Sequence, residues 1–314
     1  MEPAVARESP GPAVHSLDHF AITVPDIEQA RHFFVHFGLD VRDADDGIDL
    51  YTFGNEHRWG VIRPGVKKRL QYVSLLAFPS DMERFRAHLD RLEVRRIEPP
   101  AGANPGSNGL WIAAPDGLPL HIGPGLKNSP IVRDPLPAAG RHSVTRGAPI
   151  RGTTEPTRPR RLSHILLFTA SLDRSLEFTA NVLGLRLSDR SGGVAFVHGP
   201  HGSDHHLLAF AQSNGFGLHH SAWTVGSIDE IGLGSEHMSD SGYRRGWGLG
   251  RHVLGSNYFR YIRDPWNSYA EYSFDIDFVP ADTPWEAWTP LPENSLYLWG
   301  PEVPDDFVRN YEIQ

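Results

Sequence analysis

The 314-residue chain contains no cysteine. That excludes disulfide cross-links, thiolate metal centres and a cysteine nucleophile, and it suits a cytoplasmic protein. No run approaches the roughly 18 consecutive apolar residues that a membrane-spanning helix requires. The opening MEPAVARESPGPAV lacks the apolar core of a secretory signal. A surplus of positive charge is also missing. With 30 Lys and Arg against 38 Asp and Glu the formal net charge is −8, so neither a nucleic acid nor an anionic membrane is expected as a partner. The remaining composition, 39% hydrophobic and 22% charged, is that of ordinary globular domains, and the length accommodates two of them. Histidine is what the chain has in excess. Seventeen of them, with no thiolate to compete, direct attention to a metal site built from nitrogen and oxygen donors.

Two segments begin alike. LDHFAITVPDIEQARHFFVHFGLDV runs from Leu17 to Val41, and LSHILLFTASLDRSLEFTANVLGLRL from Leu162 to Leu187. Each opens with an apolar strand that carries a histidine, His19 or His164. A turn follows, with Asp26 or Ser171 as helix N-cap. The helices are amphipathic, with Ile27, Ala30, Phe33 and Phe34 on one face of the first, and Leu172, Leu176, Phe178 and Val182 on that of the second. Each stops at a glycine, Gly38 or Gly184. A second pair of segments, from Leu70 and from Leu218, also reads strand, turn, helix, and each leads to strands that end in a proline turn. The expected fold class is therefore α+β, four βαβββ modules at about 15–66, 68–124, 161–212 and 216–279, paired into two domains. The expected domains are 1–124 and 161–279. They are joined by a Pro/Gly/Arg-rich linker, 125–160, and followed by a tail, 280–314, that packs on the body. Paired modules of this kind make a curved sheet around a cavity, where small-molecule sites form.

The repeat places His164, His220 and Glu271 on neighbouring strands of the second domain, facing that cavity. Two imidazoles and one carboxylate on one side of a metal leave positions open for substrate and oxygen, an arrangement suited to non-haem Fe(II); the same donors suit Mn(II). Two histidine doublets, His205-His206 and His219-His220, sit close by. Since neighbours on a strand point to opposite faces, only one member of each doublet is expected to face the cavity.

The second domain resembles the catalytic domain of the type I extradiol ring-cleavage dioxygenases of the vicinal oxygen chelate superfamily. The likeness is carried by HHLLAF, LHHSAW and GRHVLGSNYFRYIRDPWNSYAEYS, with Gly250, His252, Tyr261, Asp264, Pro265 and Glu271 at the signature positions. It implies that His164, His220 and Glu271 are metal ligands, that His206 is an acid/base histidine, and that His252 and Tyr261 hold the substrate oxygen, which leaves His205 and His219 as structural or edge residues. Asn257 is similar to a polar substrate-pocket residue in some members. It also implies Fe(II), or Mn(II), as cofactor, an aromatic vicinal diol and O2 as partners, and a homo-oligomer. Arg260 and Asn267 depart from the pattern around the Asp264-Pro265 turn, where the family has an apolar residue and a glycine or proline. In the first domain the repeat aligns His19 with His164, Tyr72 with His220 and His121 with Glu271. With two of the three donors changed, that half is expected to hold no metal and to serve as scaffold or subunit surface. Two other readings use the same scaffold: a glyoxalase-like isomerase or thiol transferase, in which the metal is only a Lewis acid, and a binding protein that sequesters a small molecule without metal.

Overall fold

The computed structural model describes residues 11–106, 108–133, 148, 150, 153–281 and 283–313; the expected linker lies partly outside them. The first half builds β1 (Ser16–Val24), α1 (Ile27–His36), β2 (Asp40–Ala44), β3 (Gly47–Thr52), β4 (Asn55–Pro64), β5 (Arg69–Ala77), α2 (Met82–Arg91), β6 (Leu110–Ala113) and β7 (Pro119–Pro124). The second half builds β8 (Arg161–Thr169), α3 (Leu172–Asn181), β9 (Arg186–Ser191), β10 (Val194–His198), β11 (Ser203–Asp204) and β12 (Leu208–Gln212). It continues with β13 (Gly217–Thr224), α4 (Ile228–Asp240), β14 (Gly246–Arg251), β15 (Tyr258–Arg263), β16 (Tyr269–Phe274) and β17 (Phe278–Val279).

The strands form a seven-stranded sheet, β2-β3-β4-β1-β5-β7-β6, and an eight-stranded sheet, β14-β15-β16-β13-β8-β12-β10-β9. In both, the first strands of the paired modules lie antiparallel at the centre, β1 against β5 and β8 against β13. One buried apolar cluster joins the helices to the outer faces of both sheets. At its seam the Phe37 and Tyr272 rings stack at 4.0 Å, and the Tyr272 hydroxyl donates to the Phe37 carbonyl at 2.9 Å.

Local chemistry accounts for the helix boundaries. Asp26 Oδ1 accepts from Gln29 N at 2.9 Å and Ser171 Oγ from Arg174 N at 3.4 Å, so both N-caps are side-chain caps. Gly38 has φ +95°, and a Cβ there would stand 2.0 Å from the Thr157 carbonyl oxygen. Only glycine ends the helix in that left-handed turn with the returning chain so close.

Two expectations need correction. The module at 68–124 has no full strand before β6; a single bridge, Arg96 to Ile112, stands in its place. The intervening chain holds Pro99, Pro100 and Pro105, which bring no N–H to a ladder. The inner face of α3 is not the apolar stripe expected. Leu172 and Val182 are buried, Leu176 and Phe178 only partly, and Ser175 and Thr179 face inward. Their hydroxyls are satisfied, Ser175 with Thr169 Oγ1 at 2.7 Å and Thr179 with the Leu176 carbonyl at 3.0 Å, which makes their burial tolerable. Among the described residues no helix is long and apolar enough to cross a membrane.

Candidate metal centre and active site

β8, β13 and β16 lie side by side with β13 in the middle. His164 is opposite Ala222, and Ala222 is opposite Glu271, so the two side chains stand in one row across the sheet. His220, two residues before Ala222, faces the same way. One ring nitrogen of each histidine and one oxygen of Glu271 all lie within 4.8 Å of one another. Glu271 Oε2 is 3.4 Å from His164 Nε2 and 3.3 Å from His220 Nε2, and all three side chains are buried.

Their hydrogen-bond partners fix where the ring hydrogens are. Ser163 Oγ donates to Asp204 Oδ2 at 2.9 Å, and Asp204 is gripped by both Arg161 guanidinium nitrogens. The serine oxygen is then an acceptor for His164 Nδ1–H at 3.2 Å. His219 Nε2 donates to the Phe307 carbonyl at 2.8 Å. Burial pushes the pKa of His219 down to about 3, so the ring is neutral and Nδ1 is bare. That nitrogen accepts His220 Nδ1–H at 2.7 Å. Burial, followed by the neighbouring His219, pushes the pKa of His220 well below its ordinary value. His220 therefore turns a hydrogen-free Nε2, and His164 its own Nε2, to the same carboxylate oxygen. His220 Nε2 and Glu271 Oε2 are buried with no hydrogen-bond partner. Converging lone pairs in a buried site are costly unless a cation joins them, and two neutral imidazoles with one carboxylate fit a divalent transition metal.

The His219-His220 doublet does not follow simple alternation. β13 carries a bulge between Leu218 and His220, and both His219 and His220 line the cavity. His205 and His206 precede β12 in irregular chain. His206 lines the cavity and lies against His164, ring centroids 4.0 Å apart; His205 lies behind it, its Nδ1 3.0 Å from His206 Nδ1. Both outer rings thus serve as hydrogen-bond partners of the inner ones, where the sequence suggested only structural or edge residues.

The other expected site residues are also at the cavity. His252 Nδ1 donates to the Leu296 carbonyl at 2.6 Å, and its Nε2 is 2.9 Å from the Tyr261 hydroxyl. Burial, then the nearby Glu271, raises the pKa of Tyr261 far above its ordinary value, so the phenol keeps its hydrogen. Burial lowers the pKa of His252 and strongly lowers that of His206. Asn257 lines the cavity, but its Nδ2 is engaged with Glu271 Oε1 and Ser273 Oγ, each at 3.0 Å. The two departures from the signature leave the site intact. Arg260 points away, to Ser235 Oγ on α4 and the Gly248 carbonyl. Asn267 takes φ +72°, a conformation that asparagine tolerates better than other side chains.

The cavity measures about 270 Å³. Leu166, Val194, Phe196 and Ala211 form one wall, and Pro292, Leu296, Val303, Phe307 and Val308 of the tail form the other. Among the described residues no Lys, Arg or Asp lines it. Ser163, Asp204 and Asp189 were not singled out in the sequence, and the tail was expected to pack on the body but not to wall the cavity. Asp204 had one available signal, its place directly before the first doublet; the tail had none, because it acts largely through backbone carbonyls.

In the first sheet two of the equivalent positions bond to each other and the third bonds to a neighbouring serine. His19 Nε2 is 3.0 Å from the Tyr72 hydroxyl, and His121 Nδ1 is 2.9 Å from Ser74 Oγ, which donates to Asp18.

Fold and site together place a buried His-His-Glu cluster, with the donor set of a divalent-metal site, beside an apolar cavity that His164 and His220 line. The glyoxalase/bleomycin resistance protein/dioxygenase superfamily profile matches residues 161–272. The chain is 45% identical to metapyrocatechase 2 of Cupriavidus necator, over 96% of this chain and 94% of the relative. It is 24% identical to the manganese-dependent 2,3-dihydroxybiphenyl 1,2-dioxygenase of Geobacillus genomosp. 3, over 91% and 93%. Homoprotocatechuate 2,3-dioxygenase of Brevibacterium fuscum, in complex with 3,4-dihydroxyphenylacetate, superposes with a TM-score of 0.77 at 21% identity, over 97% of this chain and 94% of that one. The chain belongs to the extradiol ring-cleavage dioxygenases of the vicinal oxygen chelate superfamily and is a metal-dependent enzyme.

Proposed function

We propose that this enzyme uses Fe(II), held by His164, His220 and Glu271, to cleave a catechol bearing a neutral, apolar substituent with O2 at the bond beside the diol, giving a ring-opened semialdehyde or keto acid. The observation that carries the reading is the set of converging histidine and glutamate donor atoms beside a cavity whose described lining holds no Lys, Arg or Asp. Iron rests on the family likeness; the donor set also accepts manganese, the metal named in the Geobacillus relative. When bound, the metal would acidify a ring hydroxyl and bring diol and O2 together.

The protein residues supply the rest. Asn257 steadies the ligating carboxylate through Oε1, leaving Oε2 to point at the two histidines. Tyr261 and His252, already bonded to each other, orient a substrate oxygen. The apolar walls exclude water and hold the ring against the metal face. His206 moves the proton that the diol gives up and the product needs. Residues 1–124 act as scaffold, and the working form is a homo-oligomer.

The test is anaerobic purification with metal analysis, followed by 4-methylcatechol, 3-methylcatechol and 2,3-dihydroxybiphenyl in air. One metal per chain, oxygen uptake and a yellow product are expected, and Glu271→Ala should abolish all three. A metal-loaded protein that consumes no oxygen with any diol would overturn the reading. His206→Phe should keep the metal and slow turnover by about 10²–10⁴-fold; unchanged turnover would remove its proposed role.

A further inference from the structure

His205 has no part in the chemistry just described, yet it is fully buried and held on every side. Its backbone N–H donates to the Asp277 carbonyl at 2.6 Å, its carbonyl accepts from Ser188, and the Trp285 ring stands edge-on at 5.4 Å. Its side chain spans two groups. Nε2 is 2.7 Å from Asp189 Oδ2, and Nδ1 is 3.0 Å from His206 Nδ1. The other oxygen of Asp189 accepts from Trp288 N at 2.7 Å.

The three side chains form a line from a buried carboxylate to the cavity wall, and the line has a direction. An ionised carboxylate only accepts, so His205 Nε2 carries the hydrogen. In a neutral ring Nδ1 is then bare. A bare nitrogen facing His206 Nδ1 requires the hydrogen on His206, which leaves His206 Nε2 as the nitrogen without one. This is the logic by which His219, anchored on Phe307, leaves His220 Nε2 bare, repeated at a residue that is not a proposed ligand.

We propose that Asp189 and His205 are positioning residues that hold His206 in its Nδ1–H tautomer, so that Nε2 meets a bound diol as a hydrogen-bond acceptor. The proposal rests on the placement of His206 at the substrate given above. Asp189→Asn isolates the effect. Trp288 N–H demands an acceptor on its side, so the asparagine must turn its oxygen there and its NH2 toward His205. His205 Nε2 then becomes the acceptor, Nδ1 the donor, and His206 is forced into the opposite tautomer.

The measurement is long-range 1H–15N spectroscopy of the histidine rings in the full-length, metal-free protein, with His205→Gln and His206→Phe to assign the two rings. The wild-type spectrum is expected to show His205 with hydrogen on Nε2 alone and His206 with hydrogen on Nδ1 alone. Asp189→Asn is expected to exchange both, keep metal affinity unchanged, and weaken anaerobic binding of 4-methylcatechol by about tenfold. A doubly protonated His205 in the wild type, or the Nε2–H tautomer of His206, overturns the proposal even if the asparagine variant does not fold. So does an Asp189→Asn spectrum identical to the wild type. Should His206→Phe leave turnover unchanged while the tautomers are as expected, the acid/base role falls and the tautomer assignment stands.

Discussion

His164 can turn a bare Nε2 toward Glu271 only while Ser163 holds its Nδ1–H, and Ser163 can do so only while its own hydrogen is committed to Asp204. Partners of this kind set the tautomer and basicity of a ligating imidazole, and their loss costs about 10–100-fold in metal affinity. Ser163→Ala is therefore expected to weaken metal binding by that factor in a chelator competition, while Ser163→Thr, which keeps the hydroxyl, retains most of it. An unchanged affinity in the alanine variant would mean that His164 is oriented by packing alone. The ligand-type residues were legible because histidine and glutamate recur at fixed places in a repeat. Their partners were not, since a serine beside a histidine carries no distinguishing pattern. The His219-His220 doublet misled for a related reason. Alternation assumes an unbroken strand, and the bulge at His219 leaves no mark in a hydrophobic pattern.

At the scale of elements, the strand-helix-strand repeat was legible because its punctuation is local: Asp26 and Ser171 cap, Gly38 and Gly184 stop. What lies across the sheet was harder to see. The bridge that replaces a strand before β6 and the polar inner face of α3 depend on tertiary partners. The cavity depends on them too, since one wall comes from β8, β10 and β12 and the other from the tail, more than 80 residues later in the chain. Because neither wall offers a cation, a substituent carboxylate would be buried unpaired beside Glu271, at a cost of several kcal/mol. The expected outcome is that kcat/KM for 3,4-dihydroxyphenylacetate falls at least about 100-fold below that for 4-methylcatechol. Comparable values for the two diols would show that the carboxylate reaches solvent or a cation outside the cavity wall.

Across the whole molecule the tail is a further part that ties sheet to sheet, and it ties backbone to site. The Leu296 carbonyl holds His252, the Phe307 carbonyl holds His219, and Trp288 N–H holds Asp189. Its end is fastened by Glu312. That carboxylate accepts from Leu70 N at the start of β5 and from Leu218 N at the start of β13, and it pairs with Lys68. Lys68 and Glu312 are both almost fully buried, so the pair gains little over an apolar one, but either charge alone is expensive. Glu312→Ala leaves two backbone donors without their acceptor and the ammonium without its counter-charge, held only by the Leu218 carbonyl and Ser268 Oγ. It is expected to lower the unfolding free energy by about 3–5 kcal/mol in urea titration. Lys68→Met combined with Glu312→Leu removes both charges and should recover part of that loss, although Leu70 N and Leu218 N stay unsatisfied. Metal retention gives the second readout, because release of the tail frees the carbonyl that orients His219 and, through it, His220. If Glu312→Ala destabilised the fold while metal affinity stayed unchanged, the tail would be a fastening alone. Loss of both together, with partial recovery of both in the double variant, is the result expected of a tail that holds the sheets and the metal site through one anchor.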